Sequence, residues 1–136
     1  MIFAEADIEQ VRATRQVLIR DAQQTGALFY ETLFALRPEL RALFPDDLSD
    51  QNRKFATTLA VISDSARDMD SLKPVLESLA RRHLAYSVKP QDYELVGTAL
   101  QQAFVRMGLT DEQVASWTSI YKVVSEYMIA TAYRGH

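Results

Sequence analysis

Apolar residues recur at intervals of three and four from one end of the chain to the other, and strict apolar–polar alternation is nearly absent. The pattern therefore predicts helices throughout and no sheet. The first stripe, Ile8, Val11, Leu18 and Ala22, opens on Asp7 with Gln10 three residues later, a pair of the helix-opening kind, and predicts a helix over 7–21. A strongly apolar helix follows over 27–36, with Gly26 at or near its start. Pro38 re-initiates a short helix over 39–44, because proline is tolerated in a first turn and poorly later. Pro45 and the acidic stretch to Asp50 form a loop that opens a helix over 49–64. A polar stretch, 65–70, separates this from the next helix, which has Pro74 near its first turn and runs to about Ser87. Lys89-Pro90-Gln91-Asp92 breaks it, and a further helix ends near Met107 before Gly108. Thr110 and Gln113 make a capping box for the last helix, where Val114, Trp117, Tyr121, Val124 and Met128 recur at spacings of three, four, three and four.

Composition narrows the chemistry. The 136 residues are 48% hydrophobic, enough for one domain, 1–136, with a core that has room for a bound group. Average usage would give roughly ten glycines and seven prolines in such a length; four of each are present, as long helices require. With no cysteine and two histidines, disulfides, thiolate metal sites and cysteine nucleophiles are excluded, and a zinc site is short of ligands. A net charge of −3 offers no basic excess for nucleic acid. The N-terminus is acidic by Glu5 and unlike a signal peptide, and no apolar run approaches the ~18 residues of a membrane span. A soluble, cytoplasmic protein is the expectation.

Three polar side chains interrupt apolar stripes. His83 falls in the gap of the stripe Leu72, Leu76, Leu79 and Tyr86, with Arg81 and Arg82 turned outward or sideways. It is either a hydrogen-bonded core histidine or a ligand to iron. Gln51 lies one turn before Phe55 on the stripe Leu48, Phe55, Leu59 and Ile62, where it is either satisfied at the helix end or faces a polar object. Tyr30 sits in an almost wholly apolar helix and needs a partner for its hydroxyl.

The run from Phe29 through Pro38 to Phe44 is similar to the helix pair before the distal pocket in bacterial single-domain globins and the globin domain of flavohaemoglobins. Gln51-Asn52-Arg53-Lys54-Phe55 resembles the start of their distal helix, and Leu79 to Val88 followed by Tyr93-Glu94-Leu95-Val96-Gly97 resembles the proximal helix and its continuation. Trp117 and Tyr121 sit where such proteins carry an aromatic pair, so the resemblance runs the length of the chain.

This resemblance implies an all-α globin fold around haem b, iron protoporphyrin IX. It makes His83 the proximal iron ligand, its other ring nitrogen donating to a carbonyl of its own helix. Phe44 would pack on the porphyrin face, Tyr30 and Gln51 would hydrogen-bond a ligand on the iron, and Phe55 would close the distal pocket. Lys54 and Arg82 are either partners of the haem propionates or solvated charges, and Leu79, Val88, Tyr93 and Val96 would line the proximal side and one edge of the ring. Two donors imply tight, slowly released dioxygen, favoured over carbon monoxide. Reversible oxygen binding, for storage, transport or protection, is the leading expectation. The alternatives are a nitric-oxide dioxygenase served by a separate reductase, and a gas sensor acting through a partner. Flavohaemoglobins carry a glutamate on the last helix beside the proximal histidine. Its place here is expected at Ala132, and no flavin or nicotinamide domain follows before His136.

Overall fold

A computed structural model describes residues 2–85 and 88–133. Its elements are α1 (Glu5–Ala13), α2 (Arg15–Arg20), α3 (Ala22–Leu36), a 3-10 helix (Pro38–Leu43), α4 (Ser49–Ser65), α5 (Met69–Ala85), α6 (Asp92–Arg106) and α7 (Asp111–Tyr133). The all-α expectation is met. Tyr86 and Ser87, at the expected end of the histidine-bearing helix, lie outside the described residues.

The opening helix is two helices, broken at Thr14. That side chain is fully buried, donates to the Val11 carbonyl at 2.6 Å and accepts from the Trp117 indole at 2.9 Å. Asp7 and Gln10 do not act as a local cap: α1 starts earlier, at Glu5, without a side-chain cap. Asp7 instead accepts from the Ser116 hydroxyl at 2.8 Å, and the Gln10 amide donates to Glu112 at 3.3 Å. Contacts with α7 outcompete the local pair.

α3 begins at Ala22 because Asp21 accepts from the Gln24 amide at 3.0 Å. Gly26 thus falls inside the helix, where it lets α4 approach. A Cβ there would lie 2.3 Å from Asn52 Cα. α5 also starts early, since Asp68 accepts from Ser71 N–H at 3.2 Å and from its hydroxyl at 2.7 Å. Pro74 is therefore inside the helix beyond its first turn, and the Asp70 carbonyl four residues back has no amide proton to accept there. The capping box at α7 forms as expected, with Thr110 N–H donating to Gln113 Oε1 at 3.0 Å and Gln113 N–H to Thr110 Oγ1 at 3.1 Å. Gly108 precedes it with φ of 86°, the left-handed conformation that favours glycine.

α7, 23 residues long, packs on α1, α5 and α6 and buries Val114, Trp117, Ile120, Val124 and Met128. Trp117 stacks on Phe104 with ring centres 5.4 Å apart. α3 packs on α4 and α6, while α5 packs on α7 and α4. Among the described residues, the backbone of α5 makes no close approach to α3 or to the 3-10 helix. Two walls result, α3 with α4 and α5 with α7. No helix among the described residues is long and apolar enough to cross a membrane.

Candidate functional site

The first wall presents an aromatic cluster around one phenol. Tyr30, 6% exposed, lies with its ring centre 5.0 Å from Phe29, 5.9 Å from Phe34, 5.4 Å from Phe44 and 5.8 Å from Phe55. Phe29 and Phe55 stack almost parallel at 4.1 Å, joining α3 to α4. Gln51, in the first turn of α4, donates through Nε2 to the Tyr30 hydroxyl at 2.9 Å. The start of α4 is itself held by Gln23, which donates to the Ser49 carbonyl at 2.8 Å and accepts from Asn52 Nδ2 at 3.2 Å. Burial pushes the Tyr30 phenol above its ordinary pKa, an effect the Gln51 bond opposes, so Tyr30 is a protonated donor at neutral pH. Phe29 and Phe34 were not singled out from the sequence, although Phe34 stands four residues after Tyr30, the spacing that places both on one helical face.

The second wall carries His83, half-buried, with Arg81 and Arg82 exposed on either side of the stripe. Its Nδ1 is 2.7 Å from the Leu79 carbonyl. A carbonyl only accepts, so Nδ1 holds the proton and the neutral ring has its lone pair on Nε2. Burial lowers the histidine's pKa, the Leu79 bond works against that, and the Arg82 charge adds to the lowering. A neutral imidazole with an uncommitted Nε2 lone pair is the state a metal ligand requires.

Leu79, Val88 and Val96 are half-buried against the core, and Tyr93 is buried. The Tyr93 ring lies 5.9 Å from that of His83. Its hydroxyl has no hydrogen-bond partner among the described residues, and burial, with Tyr133 nearby, pushes its pKa up. The Tyr121 hydroxyl donates to the Tyr93 carbonyl at 2.7 Å. Lys54 and Arg82 are exposed, as either a propionate partner or a solvated charge would be.

One assignment changes. The residue that α7 brings to Tyr93 is Tyr133, with ring centres 6.2 Å apart and nearly perpendicular, whereas Ala132 is buried in the core. A single position turns a side chain by about 100° around a helix, which separates these neighbours. A phenol therefore stands beside Tyr93. A groove of about 470 Å³ between α6 and α7 is lined by Tyr93, Gly97, Phe104 and Tyr121 among others, and includes none of Tyr30, Gln51, Phe44, Phe55 or His83.

The globin family model matches residues 27–128, from the aromatic cluster through α5 and into α7. The chain belongs to the globin family. The flavohemoprotein of Bacillus anthracis is 27% identical over 133 residues, covering 95% of this globin and 33% of that protein. This globin thus spans about a third of the length of the flavohemoproteins it matches. An uncharacterized globin-like protein of Aquifex aeolicus is 26% identical over 129 residues, with 94% of this chain and 93% of that one covered.

Among solved structures, a bacterial globin from Campylobacter jejuni superposes with a TM-score of 0.84 at 16% identity, over 96% of this chain and 97% of that one. An engineered carbene transferase made from what is described as a nitric oxide dioxygenase of Rhodothermus marinus gives 0.86 at 21%, over 97% and 94%. These likenesses establish the globin fold, and membership of the family implies haem binding. The two walls fit such a group. His83 offers a neutral nitrogen from α5, Tyr30 and the rings around it line α3, α4 and the 3-10 helix, and the backbones of α5 and α3 stay apart.

Proposed function

We propose that this chain is a single globin domain, 1–136, that holds haem b through His83 and binds dioxygen reversibly, with Tyr30 as the principal donor to the gas. The bound haem would supply an iron centre at which a diatomic gas coordinates. All else in the reading concerns side chains. His83, held by the Leu79 carbonyl, would present Nε2 as the proximal ligand. Phe44 and Phe55 would pack against the ring, Leu79, Val88, Tyr93 and Val96 would line its proximal side and edge, and Lys54 and Arg82 would meet the propionates.

The observation that carries the reading is the Tyr30 hydroxyl. It is buried among four aromatic rings and accepts from Gln51, so its own proton remains to be donated. A phenol donor in a dry pocket would favour a gas that takes on negative charge when held, as dioxygen does and carbon monoxide does far less, so Tyr30 would select for oxygen. On the proximal side, His83 donates to a neutral carbonyl, and the side chain that α7 sets beside Tyr93 is the Tyr133 ring. A neutral proximal ligand suits reversible binding better than peroxide cleavage.

The experiment is haem reconstitution followed by stopped-flow measurement of oxygen and carbon monoxide dissociation. Slow oxygen release supports the reading; oxygen release as fast as from a pocket without a donor overturns it. A second reading, nitric-oxide dioxygenase with a reductase partner, is favoured by the similarity to flavohemoproteins. Its mark would be repeated turnover of nitric oxide to nitrate when a reductase is added, rather than one equivalent consumed.

A further inference from the structure

Gln23, Gly26 and Tyr30 stand three and four positions apart on α3, the spacing that places them on one face of the helix. Each of them meets the first turn of α4. Gly26 lies against the Asn52 backbone, with no room for a Cβ between them. One turn after Gly26, the Tyr30 hydroxyl accepts from the Gln51 amide at 2.9 Å. One turn before it, Gln23 Nε2 donates to the Ser49 carbonyl at 2.8 Å, while Gln23 Oε1 accepts from Asn52 Nδ2 at 3.2 Å. A carbonyl only accepts, so the Gln23 amide is turned one way by Ser49, and Asn52 must offer its amino group to the oxygen that remains. Asn52 Oδ1 is then buried without a partner among the described residues. The first turn of a helix has fewer bonds of its own than any later turn, so the turn carrying Gln51 depends most on contacts from outside α4.

We infer that Gln23 is a positioning residue for Gln51 and Tyr30, pinning the first turn of α4 to α3 so that the Gln51 amide stays on the Tyr30 hydroxyl. The inference rests on the reading of Tyr30 and Gln51 as the pair that faces the bound gas. Without the Gln23 amide, neither end of the Asn52 amide has a partner, and keeping that group buried becomes unfavourable. The first turn of α4 then gains freedom to pivot about the Gly26 contact, carrying Gln51 away from Tyr30.

The test uses the haem-loaded protein with carbon monoxide as the probe. Two readouts follow the Tyr30–Gln51 pair: the infrared C–O stretching band, which responds to donors around the gas, and the rate of carbon monoxide association after flash photolysis. Gln23→Leu removes both bonds. Gln23→Glu keeps an acceptor for Asn52 and loses the donation to Ser49, and its carboxylate favours the first turn of α3, so it separates positioning from a loss of stability. Thr57→Gly is the control, because it weakens α4 at an exposed position away from these contacts. Gln23→Leu is expected to split or broaden the band and to speed association about two- to tenfold, the range spanned by one neutral hydrogen bond. Gln23→Glu is expected to act in the same direction by less, with Tm preserved, and Thr57→Gly to lower Tm with band and rate unchanged. An unchanged band and rate in both Gln23 variants, or matching changes in Thr57→Gly, overturn the positioning role while leaving Tyr30 and Gln51 facing the gas. A wild-type band at the position of a pocket without a donor overturns that reading and the inference together.

Discussion

Gln51 donates to the hydroxyl of Tyr30 at 2.9 Å across the crossing of α3 and α4. With the amide this way round, the two polar residues of the aromatic cluster act in series. Gln51 polarises and aims Tyr30, and Tyr30 keeps a proton for the pocket. The first consequence is that Tyr30→Phe, which preserves the packing against Phe29, Phe44 and Phe55, speeds oxygen dissociation. A neutral hydrogen bond contributes about 0.5–1.5 kcal/mol and more in a dry site, so the rate rises roughly two- to tenfold or beyond. Carbon monoxide dissociation measured alongside should change less.

Acting in series also has a signature in the double variant. Gln51→Leu should raise the oxygen dissociation rate by less than Tyr30→Phe does, and the Tyr30→Phe/Gln51→Leu protein should match Tyr30→Phe alone. Stopped-flow rates for the four proteins decide it. Additive effects would mean that Gln51 meets the gas independently.

The geometry that lets the pair meet depends on Gly26. A Cβ at that position would lie 2.3 Å from Asn52 Cα and 2.4 Å from its carbonyl oxygen, both backbone atoms that cannot turn aside. Gly26→Ala should cost about 1–3 kcal/mol, the usual range for overpacking, in chemical denaturation. Gly97→Ala is the comparison, since its Cβ would meet the Tyr121 ring edge at 2.9 Å, a side chain with some freedom to move. The loss at Gly97 should be the smaller one.

Acid should loosen the helix that carries His83 through its cap. Hydrogen bonds from Ser71, side chain first and backbone second, hold the Asp68 carboxyl below the ordinary aspartate range. A carboxylate with a lowered folded pKa stabilises the fold fully above its unfolded value of about 3.9, and that contribution fades as pH falls through the lower folded value. Asp68→Asn retains a capping oxygen without the titration, so its stability should decline less steeply with acid below about pH 4. Equal slopes for the two proteins in urea denaturation across that range would remove Asp68 from the account of acid stability.

Local signals were legible in the sequence and distant ones were not. The Thr110–Gln113 capping box formed as read, because both partners stand within one turn. Asp7 and Gln10 have the same spacing, yet Ser116 and Glu112 of α7 take them, and nothing near them in the chain announces this. The break at Thr14 depends on Trp117, more than a hundred residues away, and so was hidden for the same reason. His83, Gln51 and Tyr30 were visible as polar interruptions of apolar stripes, and α3 and α4 do bring Tyr30 and Gln51 together. The Tyr133–Tyr93 contact was missed in favour of Ala132, since helical register near the end of α7 is fixed by packing and not by spacing in the sequence.

The most direct measurement is the absorption spectrum of the protein after haem reconstitution, in ferric, deoxy, oxy and carbonmonoxy forms, beside the same set for His83→Ala. A Soret band that shifts reversibly between deoxy and oxy forms in the wild type, and loses its histidine-ligated features in His83→Ala, is the expected result. A protein that stays colourless, or spectra indifferent to the loss of His83, contradicts the assignment of this globin as a haem protein ligated through that residue.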